Sequence, residues 1–115
     1  MTAHTASEIE SLTYKQALLR VAKLFNVPVE SLTPNAKFGT DLKAGPRSFF
    51  KDNAFDVIDG DIRDAADRAL QRQMAKGGYE VSTVGDYCAH MVRCYTLRPR
   101  VVRKILDLAA VAENQ

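Results

Sequence analysis

Apolar residues recur along this chain with a period between three and four, and nowhere in strict alternation. Leu18, Val21, Ala22 and Phe25 stand at i, i+3, i+4 and i+7, with Leu12 ahead of them. This predicts one amphipathic helix from about Ser11 to Phe25. Thr13 with Gln16, or Ser7 with Glu10 further upstream, offers a capping box for its start. Asn26 and Pro28 should stop it, because the residue before a proline is pushed out of helical geometry.

Between Val27 and Arg47 the period is lost. Pro28, Pro34, Gly39, Gly45 and Pro46 interrupt it, while Val29, Leu32, Phe38 and Leu42 recur without helical or alternating spacing. A long ordered loop, pinned to a core by those apolar side chains, fits this stretch.

The helical period returns from about Asn53 to Ala75, where Phe55, Ile58, Ile62, Ala65, Ala66, Ala69 and Leu70 form one stripe. Gly60 weakens the early part by up to about 1 kcal/mol relative to Ala, which allows a break near Asp59 to Asp61. Gly77 and Gly78 supply a left-handed stop, with Lys76 favourably placed in the last turn. After a linker from Tyr79 to Ser82, Thr83 is a good N-cap, and Asp86 suits the first turn of a helix whose apolar face is Val84, Tyr87, Cys88, Met91, Val92 and Tyr95. Pro99 then sits in the first turn of a last helix with Val102, Ile105, Leu108, Ala109 and Ala112 on its face. The predicted class is all-α: a small bundle of about four helices with one long first loop.

At 115 residues and 46% apolar composition, the chain suits one domain that can bury a core without disulfides or metals. The longest apolar runs, such as Leu108 to Ala112, fall far short of a membrane span, so no membrane insertion is expected. Met1 to Ser7 are polar and show no secretory pattern, so the expected location is cytoplasmic. The formal net charge of +2 conceals a polarised chain. From Asp52 to Asp67 there are six aspartates opposed only by Arg63; from Arg93 to Lys104 there are five basic residues and no acid. The acidic stretch reads either as a solvated helix face or as a docking strip for basic partners. The basic stretch has one aromatic, Tyr95, among its five charges, in a chain whose second helix is strongly acidic, which makes a weak case for nucleic acid. Pairing with the acidic helix, or covering its apolar stripe, suits it better.

No residue grouping points to an autonomous enzyme. There is no Ser-His-Asp set, no glycine-rich phosphate loop and no pair of carboxylates with one shifted upward. His4 lies near the chain start, and His90 falls on a helix flank without a second ligand or nucleophile nearby. Cys88 and Cys94 are six apart on one predicted helix, face different sides and make no zinc motif; buried or half-buried thiols are expected.

Taken in order, several pieces resemble the acyl carrier protein family. They are Phe25-Asn26-Val27 closing the first helix, then Leu32-Thr33-Pro34-Asn35-Ala36-Lys37-Phe38-Gly39-Thr40-Asp41-Leu42, then the acidic helix, then Ser82-Thr83-Val84-Gly85-Asp86-Tyr87. The most specific pieces are Phe38-x-x-Asp41-Leu42 and Thr83-Val84-Gly85-Asp86. The resemblance covers about Leu18 to Val92. It implies an acyl-carrier-like four-helix bundle over residues 8–95, followed by a C-terminal helical extension over 98–112, in a single domain 1–115.

The resemblance further implies a carrier rather than a catalyst, serving lipid or fatty acid biosynthesis. Such a protein is a phosphoprotein that holds an acyl thioester on a 4'-phosphopantetheine arm. The family attaches the arm to a serine within Asp-Ser-Leu at the start of the second helix. Here Ser48, between Arg47 and Phe49, is the closest match and the implied attachment residue; it also suits an N-cap. Asp52, Asp56 and Asp59 would then dock a phosphopantetheinyl transferase and acyl-processing enzymes with basic surfaces. Phe49, Phe55, Ile58, Ile62, Val84 and Met91 would line an acyl chain or form ordinary core. A second alignment takes Asp56-Val57-Ile58-Asp59 as the remnant of the family's Asp-Ser-Leu-Asp. It puts valine where the arm would attach and leaves a docking module without an arm.

Overall fold

In the computed structural model, residues 6–42 and 54–106 are described. They form five helices, α1 (Ala6–Phe25), α2 (Ala54–Ala65), α3 (Arg68–Ala75), α4 (Val84–Leu97) and α5 (Pro99–Leu106), with a 3-10 turn at Val29–Ser31. No strand occurs among the described residues, only two isolated bridges, Lys37 with Thr83 and Phe38 with Leu42. The all-α expectation holds at that level.

α1 begins earlier than predicted, so Thr13 is an interior residue and not a cap. Its buried hydroxyl donates to the Ile9 carbonyl at 2.7 Å, one turn back. The end is where the sequence put it, at Asn26, which takes φ +58°. Asn26 N donates to Lys23 O and Val27 N to Ala22 O, the paired bonds of a Schellman stop. α3 ends in the same way, with Gly77 at φ +78° and amides of Gly77 and Gly78 donating to Met74 and Gln73.

The single helix expected from Asn53 to Ala75 is two helices. The break falls at Ala66-Asp67, not near Gly60. Asp67 caps α3 by accepting from Leu70 N at 2.9 Å. The last turn of α2 is closed by side chains from elsewhere: Gln71 Nε2 donates to Arg63 O (2.9 Å) and Ala66 O (3.2 Å). Arg98 Nη1 donates to Asp64 O (2.9 Å) and Ala66 O (3.0 Å), and His90 Nε2 donates to Ile62 O (2.9 Å). Donors at the carboxyl end of a helix satisfy its outgoing carbonyls, so the chain can turn there without a glycine.

α4 is the central element and packs on α1, α2 and α5. Its Val84, Tyr87, Cys88, Met91 and Cys94 are buried with Ala17, Val21, Phe25, Ile58, Ile62, Ala65, Leu70, Val102 and Leu106. Thr83 caps α4 as predicted, in a full capping box: Asp86 N donates to Thr83 Oγ1 at 3.0 Å and Thr83 N to Asp86 Oδ2 at 3.2 Å. Pro99 opens α5 as expected. Leu108, Ala109 and Ala112 lie outside the described residues.

Candidate functional site

The Val27–Leu42 segment is ordered by backbone contacts with the start of α4. Phe38 N donates to Ser82 O (3.0 Å), Val84 N to Ala36 O (2.9 Å) and Gly85 N to Pro34 O (2.9 Å). Asp41 ties the segment's last turn, its carboxylate accepting from Lys37 N at 3.0 Å while Leu42 N donates to Lys37 O at 3.0 Å. Phe38 sits between Phe25, stacked at 5.8 Å, and Tyr87, edge-on at 6.4 Å; Phe55 meets Phe25 edge-on at 5.4 Å. The two longer segments that hold the most specific sequence pieces, Leu32 to Leu42 and Ser82 to Tyr87, are therefore packed and hydrogen-bonded together. Partial burial pushes the Asp86 carboxyl upward, but hydrogen bonds from Ser82 and Thr83 outweigh this and hold it below the usual carboxylate range.

α2 leads away from these segments. Asp56, Asp59 and Asp64 are exposed on its outer side. Asp59 is paired with Arg63 one turn on. The six aspartates do not form one strip: Asp67 is a cap, and Asp61 is buried at 6% exposure. Arg20 holds Asp61 through two bonds, Nε to Oδ2 at 2.5 Å and Nη2 to Oδ1 at 3.0 Å, and Tyr87 donates to Oδ2 at 2.7 Å. Burial, then the adjacent Asp61 charge, drives the Tyr87 hydroxyl far above its ordinary pKa, so it stays a donor. Ser48 and Asp52 lie outside the described residues, as does Phe49. Ile58, Ile62, Val84 and Met91 belong to the packed core, and Phe55 is half-buried against it.

An open cleft of about 520 Å³ lies between the end of α2, α3 and the Tyr79–Val81 linker. Ile62, Met74 and Val81 contribute apolar lining, and Asp59, Asp64 and Glu80 contribute acids. Behind it, His90 is fully buried, a correction to its expected place on a flank. Nε2 meets the Ile62 carbonyl, and Nδ1 meets the Tyr79 hydroxyl at 2.8 Å. Burial, then the nearby Arg93 charge, holds its pKa below the ordinary value, while the bond to Ile62 works in the opposite direction. Arg93 lies over the Tyr79 ring, 5.2 Å from its centre. Cys88 and Cys94 are free and buried, as expected, and burial pushes their thiols up to about 12 and about 11. The described residues contain no cluster of His, Cys, Asp and Glu fit for a metal, and none of their helices is long and apolar enough to cross a membrane.

No family model matches the chain, nor does any curated protein or solved structure.

Proposed function

We propose that this is an acyl-carrier-like protein, with a phosphopantetheine arm on Ser48 that carries an acyl group as a thioester. On this reading the protein makes and breaks no bonds itself. Partner enzymes with basic surfaces approach the exposed acids of α2, Asp56 and Asp59, with Asp52 completing the set, and Asp64 adds to the same field. The supporting observation is the pairing of the two segments that carry the resemblance, Leu32 to Leu42 and Ser82 to Tyr87. The two segments are far apart in sequence, yet three backbone hydrogen bonds join them, Phe38 to Ser82, Val84 to Ala36 and Gly85 to Pro34.

A second reading is supported by a different observation. Asp56-Val57-Ile58-Asp59 occupies the opening turns of α2, where the family carries its serine, and a valine side chain accepts no arm. The protein would then be a carrier-like docking module working through the same acids. Incubation with coenzyme A and a broad-specificity transferase separates the readings by the intact mass. A Ser48-dependent gain supports the carrier, and an unchanged mass supports the module.

A further inference from the structure

We infer that the neutral imidazole of His90 clamps the two walls of the α2–α3 cleft, and that its protonation releases the Tyr79 wall. The assignment of protons follows from chemistry. The Ile62 carbonyl can only accept, so Nε2 carries the hydrogen of that 2.9 Å bond. In the neutral ring Nδ1 is then an acceptor, and the Tyr79 hydroxyl donates to it across 2.8 Å. Ile62 and Tyr79 both line the cleft, one from α2 and one from the linker after α3. A single buried ring on α4 therefore links two residues of the cleft lining, donating to Ile62 and accepting from Tyr79.

Protonation removes the acceptor. A hydrogen on Nδ1 would meet the hydroxyl hydrogen of Tyr79, and the bond survives only if the hydroxyl turns over. The charge is also poorly housed. On its own helix the ring has Arg93, whose guanidinium lies over Tyr79, and the Cys94 thiol 3.5 Å from Nε2. The linker presents Tyr79, and α2 presents the Ile62 carbonyl, whose dipole favours a cation. Asp67 and Arg98 act on the neighbouring Cys94, and Asp86 on Tyr79. Among the described residues no carboxylate is hydrogen-bonded to the ring. The lowered pKa of His90 agrees with burial and Arg93 outweighing the hydrogen bond to Ile62.

The test is nuclear magnetic resonance on the intact protein during an acid titration. As the His90 ring signals report protonation, cross-peaks between the Tyr79 and His90 rings should fall at least threefold, while those between Phe25 and Phe38 persist. In Tyr79→Phe, which keeps the ring but not the donor, the His90 pKa should rise toward its ordinary value. Tyr79–His90 contacts that persist through the titration would overturn the inference. So would loss of the Phe25–Phe38 contacts in the same step, or an unchanged His90 pKa in Tyr79→Phe.

Discussion

A β-carbon on Gly85 would stand 2.9 Å from the carbonyl oxygen of Pro34, the same oxygen that accepts from Gly85 N. The loop and α4 approach this closely only because the residue has no side chain. Gly85→Ala should destabilise the fold by about 1–3 kcal/mol, since backbone has to move. Gly60, in the interior of α2 with nothing within 4 Å of its missing β-carbon, should behave in the opposite way. Gly60→Ala should stabilise by about 0.5–1 kcal/mol. Urea unfolding of both variants checks the pair, and equal signs would contradict this account of the contact.

Asp61 looks like one member of an acidic run, yet it ties α1, α2 and α4 together through Arg20 and Tyr87. Asp61→Ala leaves the Tyr87 hydroxyl buried without its partner and Arg20 half-buried without its counter-charge. The expected loss is about 2–4 kcal/mol, discounted from a fully buried pair because Arg20 keeps 29% of its side-chain exposure. Asp59→Asn, which removes an exposed i,i+4 pair, should cost only about 0.3–0.5 kcal/mol. Thermal unfolding at matched ionic strength distinguishes the two.

These cases show what could be seen in the sequence. Signals confined to a few neighbouring residues were legible: the Thr83-x-x-Asp86 cap, the Asn26 and Gly77 stops, and Pro99 at a helix start. The break after α2 was not, because Ala66 and Asp67 are both tolerated inside a helix and the donors that end it come from Gln71, His90 and Arg98. Ala69, counted on the apolar stripe, becomes exposed once the helix is broken. The Arg20–Asp61–Tyr87 network spans 41 and 26 residues, and no single sequence signals such pairings. The acidic run was half legible: Asp56 and Asp59 are exposed, whereas Asp61 and Asp67 are used for structure.

Both thiols should be inert in the folded protein. With Cys88 held near 12 and Cys94 near 11, and both side chains buried, the thiolate fraction at pH 8 is negligible. A maleimide or aromatic disulfide reagent should label neither within the time that labels both in denaturant. Rapid labelling of either in the native state would contradict the packing of α4.

Stability should fall in acid through two groups. His90 is a base whose folded pKa is depressed, so the unfolded chain binds its proton first. Its contribution is full above about pH 6.5 and is lost as pH falls from there toward the folded value. Asp86 is an acid with a depressed folded pKa, so its contribution is present above the ordinary carboxylate range and is lost below it. Denaturant midpoints measured from pH 8 to pH 3 should decline in two stages. His90→Gln should flatten the upper stage and Asp86→Asn the lower.

The carrier reading is tested most directly by intact mass spectrometry after incubation with coenzyme A and a broad-specificity phosphopantetheinyl transferase. It predicts one phosphopantetheine added per chain, and no addition to Ser48→Ala. An unchanged wild-type mass, or an equal gain in Ser48→Ala, would contradict it.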